Sequence, residues 1–352
     1  MDLDEFGGLL RWPALNDWIE SQANIPGEGP ITAIQRLAGG SQNCLFLLTR
    51  ANAKCVLRRP PLNKRKQSDE VMLREARLLS GIGGTAVPHA QLYASCSDLN
   101  VIGAAFYVMA ALDGFSPLGP LPRQYAEHAS WREAMGIEYI KAAVALGSVD
   151  YKARGLELHG KAENWHARQV ERWLGQLESY ESLPGYQGHE LPHIAEISRW
   201  LADHVPSDGR IGIIHGDLQF PNVMYCHDRP VIAGLIDWEL STLGDPLLDL
   251  GWLLTSWWDP ADPPGKLPVC TPWNGFLPRR ELIALYGDLA GRDMGPMPWY
   301  TVLAAFKLAC ILEGNYARSI AGQMPTEVGR SLHRYALLVL EVGRQVMAGT
   351  LD

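Results

Sequence analysis

The sequence predicts a two-lobed α+β protein, with a small β-rich N-terminal lobe followed by a larger, mostly helical one. Three observations lead there. From Ile31 onward, short apolar runs such as Leu45-Phe46-Leu47-Leu48 and Cys55-Val56-Leu57 are separated by turn residues, which is the texture of strands. Further along, apolar residues recur at helical spacing, as in Val170, Trp173, Leu174 and Leu177. And 352 residues is rather long for one compact core, so two lobes are the default.

In chain order, residues 1–30 read as a leader region. It holds a short helix around residues 15–19 and a Gly/Pro-rich exit at Pro26, Gly27, Gly29 and Pro30. Residues 31–108 form the N-lobe. Within it the pattern gives strands, a helix over residues 68–80, and a buried strand over residues 101–111 that runs into the Asp113-Gly114 turn. Residues 109–115 form a hinge, and residues 116–352 make the C-lobe, with late helices near 281–289, 299–320 and 328–347. No internal repeat or low-complexity tract interrupts this plan.

Composition narrows the function classes. With 47% hydrophobic and 20% charged residues, the chain is an ordinary globular protein, which excludes a disordered, collagen-like or coiled-coil chain. The net charge of −8 argues against a general nucleic-acid binder. That charge is uneven: residues 31–129 carry 11 bases and 6 acids, residues 130–249 carry 10 bases and 18 acids. An acidic start (Asp2, Asp4, Glu5) is not a secretory signal, and no apolar run approaches the ~20 residues of a membrane span. Six scattered cysteines without metal spacing read as free buried thiols. The expectation is a cytoplasmic protein with neither a membrane nor a nucleic acid as partner. The sequence leaves its oligomeric state open.

The segment richest in chemistry is Ile213-Ile214-His215-Gly216-Asp217-Leu218-Gln219-Phe220-Pro221-Asn222-Val223-Met224. An apolar strand runs into His-x-Asp, with an Asn five residues beyond the Asp. Phosphoryl transfer asks little covalent chemistry of a protein. It needs a hydroxyl held in line, charge compensation, and metal on the phosphates. Asp217 can orient a hydroxyl and take its proton, and the amide oxygen of Asn222 can ligate Mg²⁺ without adding negative charge. A second acid should follow a hairpin. Residues 223–226 and 231–236 read as its strands, and Asp237-Trp238-Glu239 comes directly after, which places Asp237 as the main metal carboxylate. Read singly, Asp217 and Asp237 are ordinary turn acids; the joint pattern is what points to a site.

This string resembles the catalytic segment of the aminoglycoside phosphotransferase family, which has the protein-kinase-like fold. The resemblance implies Asp217 as base, Asn222 and Asp237 as metal ligands, and His215 as a residue that organises the loop. Gly244-Asp245-Pro246-Leu247-Leu248-Asp249-Leu250 is also similar to the family, with Asp249 expected to cap a helix or brace the catalytic loop. In the small lobe, Gly39, Gly40, Ser41 and Asn43 suit a phosphate-binding turn, although a Gly-Gly turn is more often a plain hairpin. A kinase-like site also wants a cation on the third strand. Arg58 ends that strand, and Glu75 lies on the apolar face of the following helix, where a charge needs a partner. Arg59 is the adjacent alternative, but alternation puts it on the other sheet face. The backbone of Met109, Ala110 and Ala111 is the expected reader of the adenine edge.

Arg58 departs from the family, which usually has Lys there, and a guanidinium is not equivalent to an ammonium. Together with Val56-Leu57-Arg58-Arg59-Pro60-Pro61, three more stretches are similar to one branch, the kinase domains related to those fused to some acyl-CoA dehydrogenases. They are Ser148-Val149-Asp150-Tyr151 with Gly155-Leu156, Arg168-Gln169-Val170-Glu171-Arg172-Trp173, and the run from Phe306 to Arg318. Gly147 and Lys307 stand where that branch usually has His and Arg. The expectation is an ATP- and Mg²⁺-dependent phosphotransferase acting on a hydroxyl of a small molecule, either a hydroxyacyl-CoA or a related metabolite. The alternatives are an aminoglycoside or other antibiotic kinase and, from another class, a nucleotide-binding pseudokinase. The absence of Ala-Pro-Glu after Asp237 speaks against a protein kinase.

Overall fold

An antiparallel sheet organises the first part of the chain in a computed structural model that describes residues 6, 8–37 and 43–350. Its strands are β1 (Ile31–Leu37), β2 (Cys44–Arg50), β3 (Ala53–Arg59), β4 (Leu92–Cys96) and β5 (Phe106–Ala110), in the order β1-β2-β3-β5-β4. Helix α1 (Ala14–Ser21) precedes the sheet, α2 (Ser68–Ile82) follows β3, and α3 (Leu99–Ile102) lies between β4 and β5. Period-two alternation puts Phe46, Leu48, Cys55, Leu57, Phe106 and Val108 into one core. The leader closes that core with Leu9, Leu10, Leu15, Ile19 and Ile25. The leader, from Leu9 to Ile25, therefore contributes to the hydrophobic interior of this part.

One expectation is corrected here. Residues 101–111 are not one strand. Asp98 caps α3 by accepting the Asn100 N–H at 2.9 Å, and Gly103 ends it at φ 79°, so the strand starts only at Phe106. An Asx cap and a left-handed glycine punctuate what hydropathy alone reads as a single apolar run.

The chain divides into two compact units. One contains the described residues up to Gly114, with Tyr151–His159 and Ala233–Glu239. The other contains Phe115–Asp150, Gly160–Ile232 and the described residues from Leu240 onward. The second unit is mainly helical: α4 (Arg123–Glu127), α5 (Ala129–Gly147), α6 (Gln169–Ser179), α7 (Ile194–Asp203), α8 (Leu247–Ser256), α9 (Arg279–Ala290), α10 (Met297–Ile320) and α11 (Thr326–Met347). Its short strands are β6 (Gly119–Pro120), β7 (Gly212–Ile214), β8 (Val223–Tyr225), β10 (Thr242–Gly244) and β11 (Cys270–Thr271), while β9 (Ile232–Leu235) carries the chain back into the first unit. Helix α10 is buried along most of its length. Gly251 of α8 makes one close crossing possible, since a Cβ there would lie 2.5 Å from the Tyr300 carbonyl oxygen. The six cysteines are free thiols, and five of them are buried. Among the described residues no helix is long and apolar enough to cross a membrane.

Candidate active site

In the first unit, three predicted residues, Arg58, Glu75 and Asp237, come together. Arg58 pairs across β3 with Leu45 of β2 and Tyr107 of β5. Its side chain turns toward α2, where Glu75 is only 1% exposed. Arg58 Nε lies 3.2 Å from Glu75 Oε2, Tyr107 donates its hydroxyl to the same oxygen at 2.9 Å, and Arg58 Nη2 donates to Asp237 Oδ1 at 3.0 Å. Burial opposes the Arg58 charge, but Tyr107, Glu75 and Asp237 outweigh it and hold the guanidinium above its usual range. Burial likewise pushes the Glu75 carboxyl up, against the pull of Arg58 and the Tyr107 hydrogen bond. Arg58 Nε and Glu75 Oε1 have no hydrogen-bond partner among the described residues.

Asp237 follows β9, which is tied down by the Leu235 N–H to Pro88 carbonyl bond at 2.9 Å and a parallel bridge between His89 and Leu235. Its φ of 68° is left-handed, an unusual state for a non-glycine residue and one that clusters at active sites. Its carboxylate is 41% exposed. Glu239 stands beside it, 3.9 Å from Arg58, and accepts the Asn43 side-chain amide at 3.3 Å. Its carbonyl takes the Arg74 guanidinium at 2.6 Å.

In the second unit, β7 delivers His215, Gly216 and Asp217 into a heavily braced loop. The buried Asp249 carboxylate accepts the backbone N–H of His215 at 2.7 Å and of Gly216 at 2.9 Å. Ser241 donates to the Ile214 carbonyl at 2.8 Å, Tyr139 donates to the Leu218 carbonyl, and Lys307 Nζ donates to the Gly216 carbonyl at 2.5 Å. Gly216 sits at φ 81°, and a Cβ would lie 2.3 Å from the Leu240 carbonyl oxygen, so no other residue fits. His215 is fully buried.

The Asp217 carboxylate is held at both oxygens. Trp252 Nε1 donates to Oδ1 at 2.9 Å, while Asn222 Nδ2 and Gln219 Nε2 donate to Oδ2 at 2.9 and 3.2 Å. Asn222 Nδ2 also donates to the Asp217 carbonyl at 2.8 Å, which leaves the amide oxygen as the atom Asn222 has to offer a cation. Lys307 lies 4.3 Å above the Trp252 ring. Burial pulls the Lys307 ammonium down from its usual range, against Asp249 and Asp217, and burial pushes the Asp249 carboxyl up, against its two N–H donors and Lys307.

The half-exposed Asp237 carboxylate in the first unit and the amide oxygen of Asn222 in the second are each donors of the kind that suits Mg²⁺ carried on phosphates. Such sites use one or two carboxylates together with substrate oxygens, not a closed protein cage. Among the described residues no group of three or more His, Cys, Asp or Glu gathers as a ready-made cage.

The sequence model described as the phosphotransferase enzyme family (APH) matches residues 33–281. The chain belongs to this family. It is 30% identical over 310 residues to human acyl-CoA dehydrogenase family member 11, covering 85% of this chain and 38% of the relative. It is 29% identical over 308 residues to Arabidopsis thaliana probable acyl-CoA dehydrogenase IBR3, covering 82% and 36%. The chain thus spans well under half of these relatives. A crystal structure of a proposed aminoglycoside phosphotransferase from Ralstonia eutropha JMP134 is 28% identical, with a TM-score of 0.77 over 94% of this chain and 98% of that one. The fold of this phosphotransferase is therefore the protein-kinase-like one.

The structure brings Arg58, Glu75 and Asp237 together in one unit, with Asn43 joined to them through Glu239, and His215, Asp217 and Asn222 together in the other. Gly39, Gly40 and Ser41 lie outside the described residues. Of the adenine-edge candidates, Met109 pairs with both Val56 and Leu92, and the Ala110 N–H is already given to the Gln91 carbonyl at 2.8 Å. Arg59 turns away, as alternation requires: its guanidinium donates to the carbonyls of Leu9, Ile102 and Pro60. Beyond Arg59, Lys64 is tied to Asp69, while Arg65 and Lys66 are exposed. Sequence reasoning missed Tyr107, Glu239 and Trp252. Glu239 stood inside a motif already singled out. The Trp252 indole gave no signal, because a tryptophan on an apolar helix reads as core.

Proposed function

We propose that this family member transfers the γ-phosphoryl group of ATP to a hydroxyl of a small molecule. The observation that carries the reading is the Asp217 carboxylate, held by three side-chain N–H donors on a loop whose own N–H groups are clamped by Asp249. A carboxylate fixed in this way is a positioned acceptor for a hydroxyl proton. In the reaction the acceptor oxygen forms a bond to the γ-phosphorus, the bond from that phosphorus to the bridging oxygen breaks, ADP leaves, and the hydroxyl proton passes to Asp217. Mg²⁺, when bound, neutralises charge on the phosphates; Asn222 and Asp237 would hold it. Arg58, backed by Glu75 and Tyr107, meets phosphate oxygens with its guanidinium, and His215 holds the loop from inside.

Among acceptors, a hydroxyacyl-CoA or related metabolite is favoured by the acyl-CoA dehydrogenase names of the relatives. An aminoglycoside is favoured by the name of the structural neighbour. The protein works without a nucleic acid or membrane partner in this reading. The test is ADP release with Mg²⁺ and ATP across hydroxyacyl-CoAs, aminoglycosides, sugars and amino alcohols. Turnover with at least one acceptor, reduced at least a hundredfold in Asp217→Asn while ATP binding persists, is the expected result. ATP binding with no turnover across the panel would instead favour a pseudokinase.

A further inference from the structure

We infer that the second unit carries a subsite for a compact anionic group of the acceptor, built from α6 and Lys307 beside the Asp217 loop. The inference rests on the phosphotransferase reading and narrows its acceptor. A cavity of about 40 Å³ is lined by residues that include Trp165, Gln169, Arg172, Trp173, Ile214 and Lys307. A single water needs only ~10–15 Å³ on this measure, so the space takes a group the size of a carboxylate.

The lining is largely apolar, with Leu240 and Leu248 beside Ile214 and the indoles, and its charge comes from two cations. The Trp173 indole is flanked by two cations, with Arg172 5.2 Å and Lys307 5.7 Å from its ring. The two like charges weaken each other, and Arg172 contributes to lowering Lys307. Trp173 is only 7% exposed, and its indole N–H has no hydrogen-bond partner among the described residues. An unused donor in a buried wall, between two cations, suits an anionic acceptor, since the same group can take the N–H and pair with the cations. A polycation would meet like charge there. The cavity also abuts the catalytic loop, since Ile214 directly precedes His215 and Lys307 bonds the Gly216 carbonyl.

Matched acceptors test this on the full chain with Mg²⁺ and ATP: 3-hydroxybutyrate against 3-hydroxybutyramide, and glycerol 3-phosphate against glycerol. The charged member of at least one pair should exceed its neutral partner at least tenfold in kcat/KM. The pair that shows the preference tells carboxylate from phosphate. Arg172→Gln alters an exposed side chain, and Trp173→Phe keeps the ring while removing the N–H. Each should raise KM for the charged acceptor about tenfold and leave KM for ATP and for the neutral partner unmoved. Equal use of charged and neutral partners, or a hydroxyacyl-CoA turned over with KM untouched by both substitutions, would overturn the assignment. Absence of turnover with every acceptor would count against the phosphotransferase reading alone. The subsite is then read by indole fluorescence during titration with 3-hydroxybutyrate and with glycerol 3-phosphate, without nucleotide. A saturable change that weakens in Arg172→Gln supports it, and no saturable change with either overturns it.

Discussion

Replacing Asp249 with Asn removes one charge and almost no volume, which makes it a sharp probe of the loop. In the native protein both carboxylate oxygens accept backbone N–H groups, at 2.7 Å from His215 and 2.9 Å from Gly216. An amide can accept one of these and must turn its NH₂ toward the other. A hydrogen bond to a charged group contributes about 1.5–3 kcal/mol, and an orphaned buried donor costs about 1–3 kcal/mol. Lys307, buried nearby, also loses a neighbouring carboxylate. The expected loss is about 3–5 kcal/mol. At roughly 2–4 °C per kcal/mol for a unit of this size, that lowers Tm by about 10 °C. Differential scanning calorimetry measures the shift, and ADP release well below the new Tm measures turnover. We expect turnover to fall at least tenfold even where the protein is folded, because the Asp217 loop loses its clamp. A Tm within about 2 °C of the parent, with unchanged turnover, would refute the reasoning.

Three other substitutions separate the parts of the site. Glu75→Gln weakens the support of Arg58 and should raise KM for ATP about tenfold with a smaller effect on KM for the acceptor, read from steady-state kinetics; an unchanged KM for ATP would detach Arg58 from the phosphates. Trp252→Phe keeps a ring beneath Lys307 but removes the N–H to Asp217, a charged hydrogen bond of about 1.5–3 kcal/mol. It should lower kcat about tenfold or more with little change in KM, and equal effects on both would point to a general packing defect. Asp245 carries a pH signature. Burial alone would raise its carboxyl, but hydrogen bonds from His166, Arg292 and Tyr300 outweigh burial and hold it well below the usual carboxylate range. Its folded pKa lies below its unfolded one, so its contribution is complete above about pH 4 and is lost as pH falls toward the folded value. Acid denaturation of Asp245→Asn followed by circular dichroism should therefore show lower stability at pH 7 and a shallower decline below about pH 4.

Much of the fold was legible because its signals are local. Met72, Glu75 and Leu79 share a helical face by spacing alone, and α2 buries all three. The opposed fates of Arg58 and Arg59 follow from strand alternation. The run at 101–111 misled because hydropathy cannot separate a short capped helix from the strand that follows it when both are buried. Spacing pointed to Asp217 and Asn222, which share one short loop, and to Asp237, which the end of a short hairpin presents to Arg58 within its own unit. It did not reach Trp252 or Tyr107. Each acts across a tertiary contact between residues 35 and 32 positions apart, and neither residue type announces a polar role in an apolar stretch.

The leader has a practical consequence for anyone trimming this protein. The family match begins at residue 33, yet Leu9, Leu10, Leu15, Ile19 and Ile25 are all in the hydrophobic core that includes the sheet. At ~1.5–3 kcal/mol for each fully buried aliphatic side chain, the five together amount to on the order of 10 kcal/mol, comparable with the net stability of a whole domain. Cutting the gene at the family boundary would strip that cover, bare an apolar sheet face, and remove the Leu9 carbonyl that Arg59 holds. Expression vectors should keep the segment from Leu9 to Ile25 and place any affinity tag ahead of it.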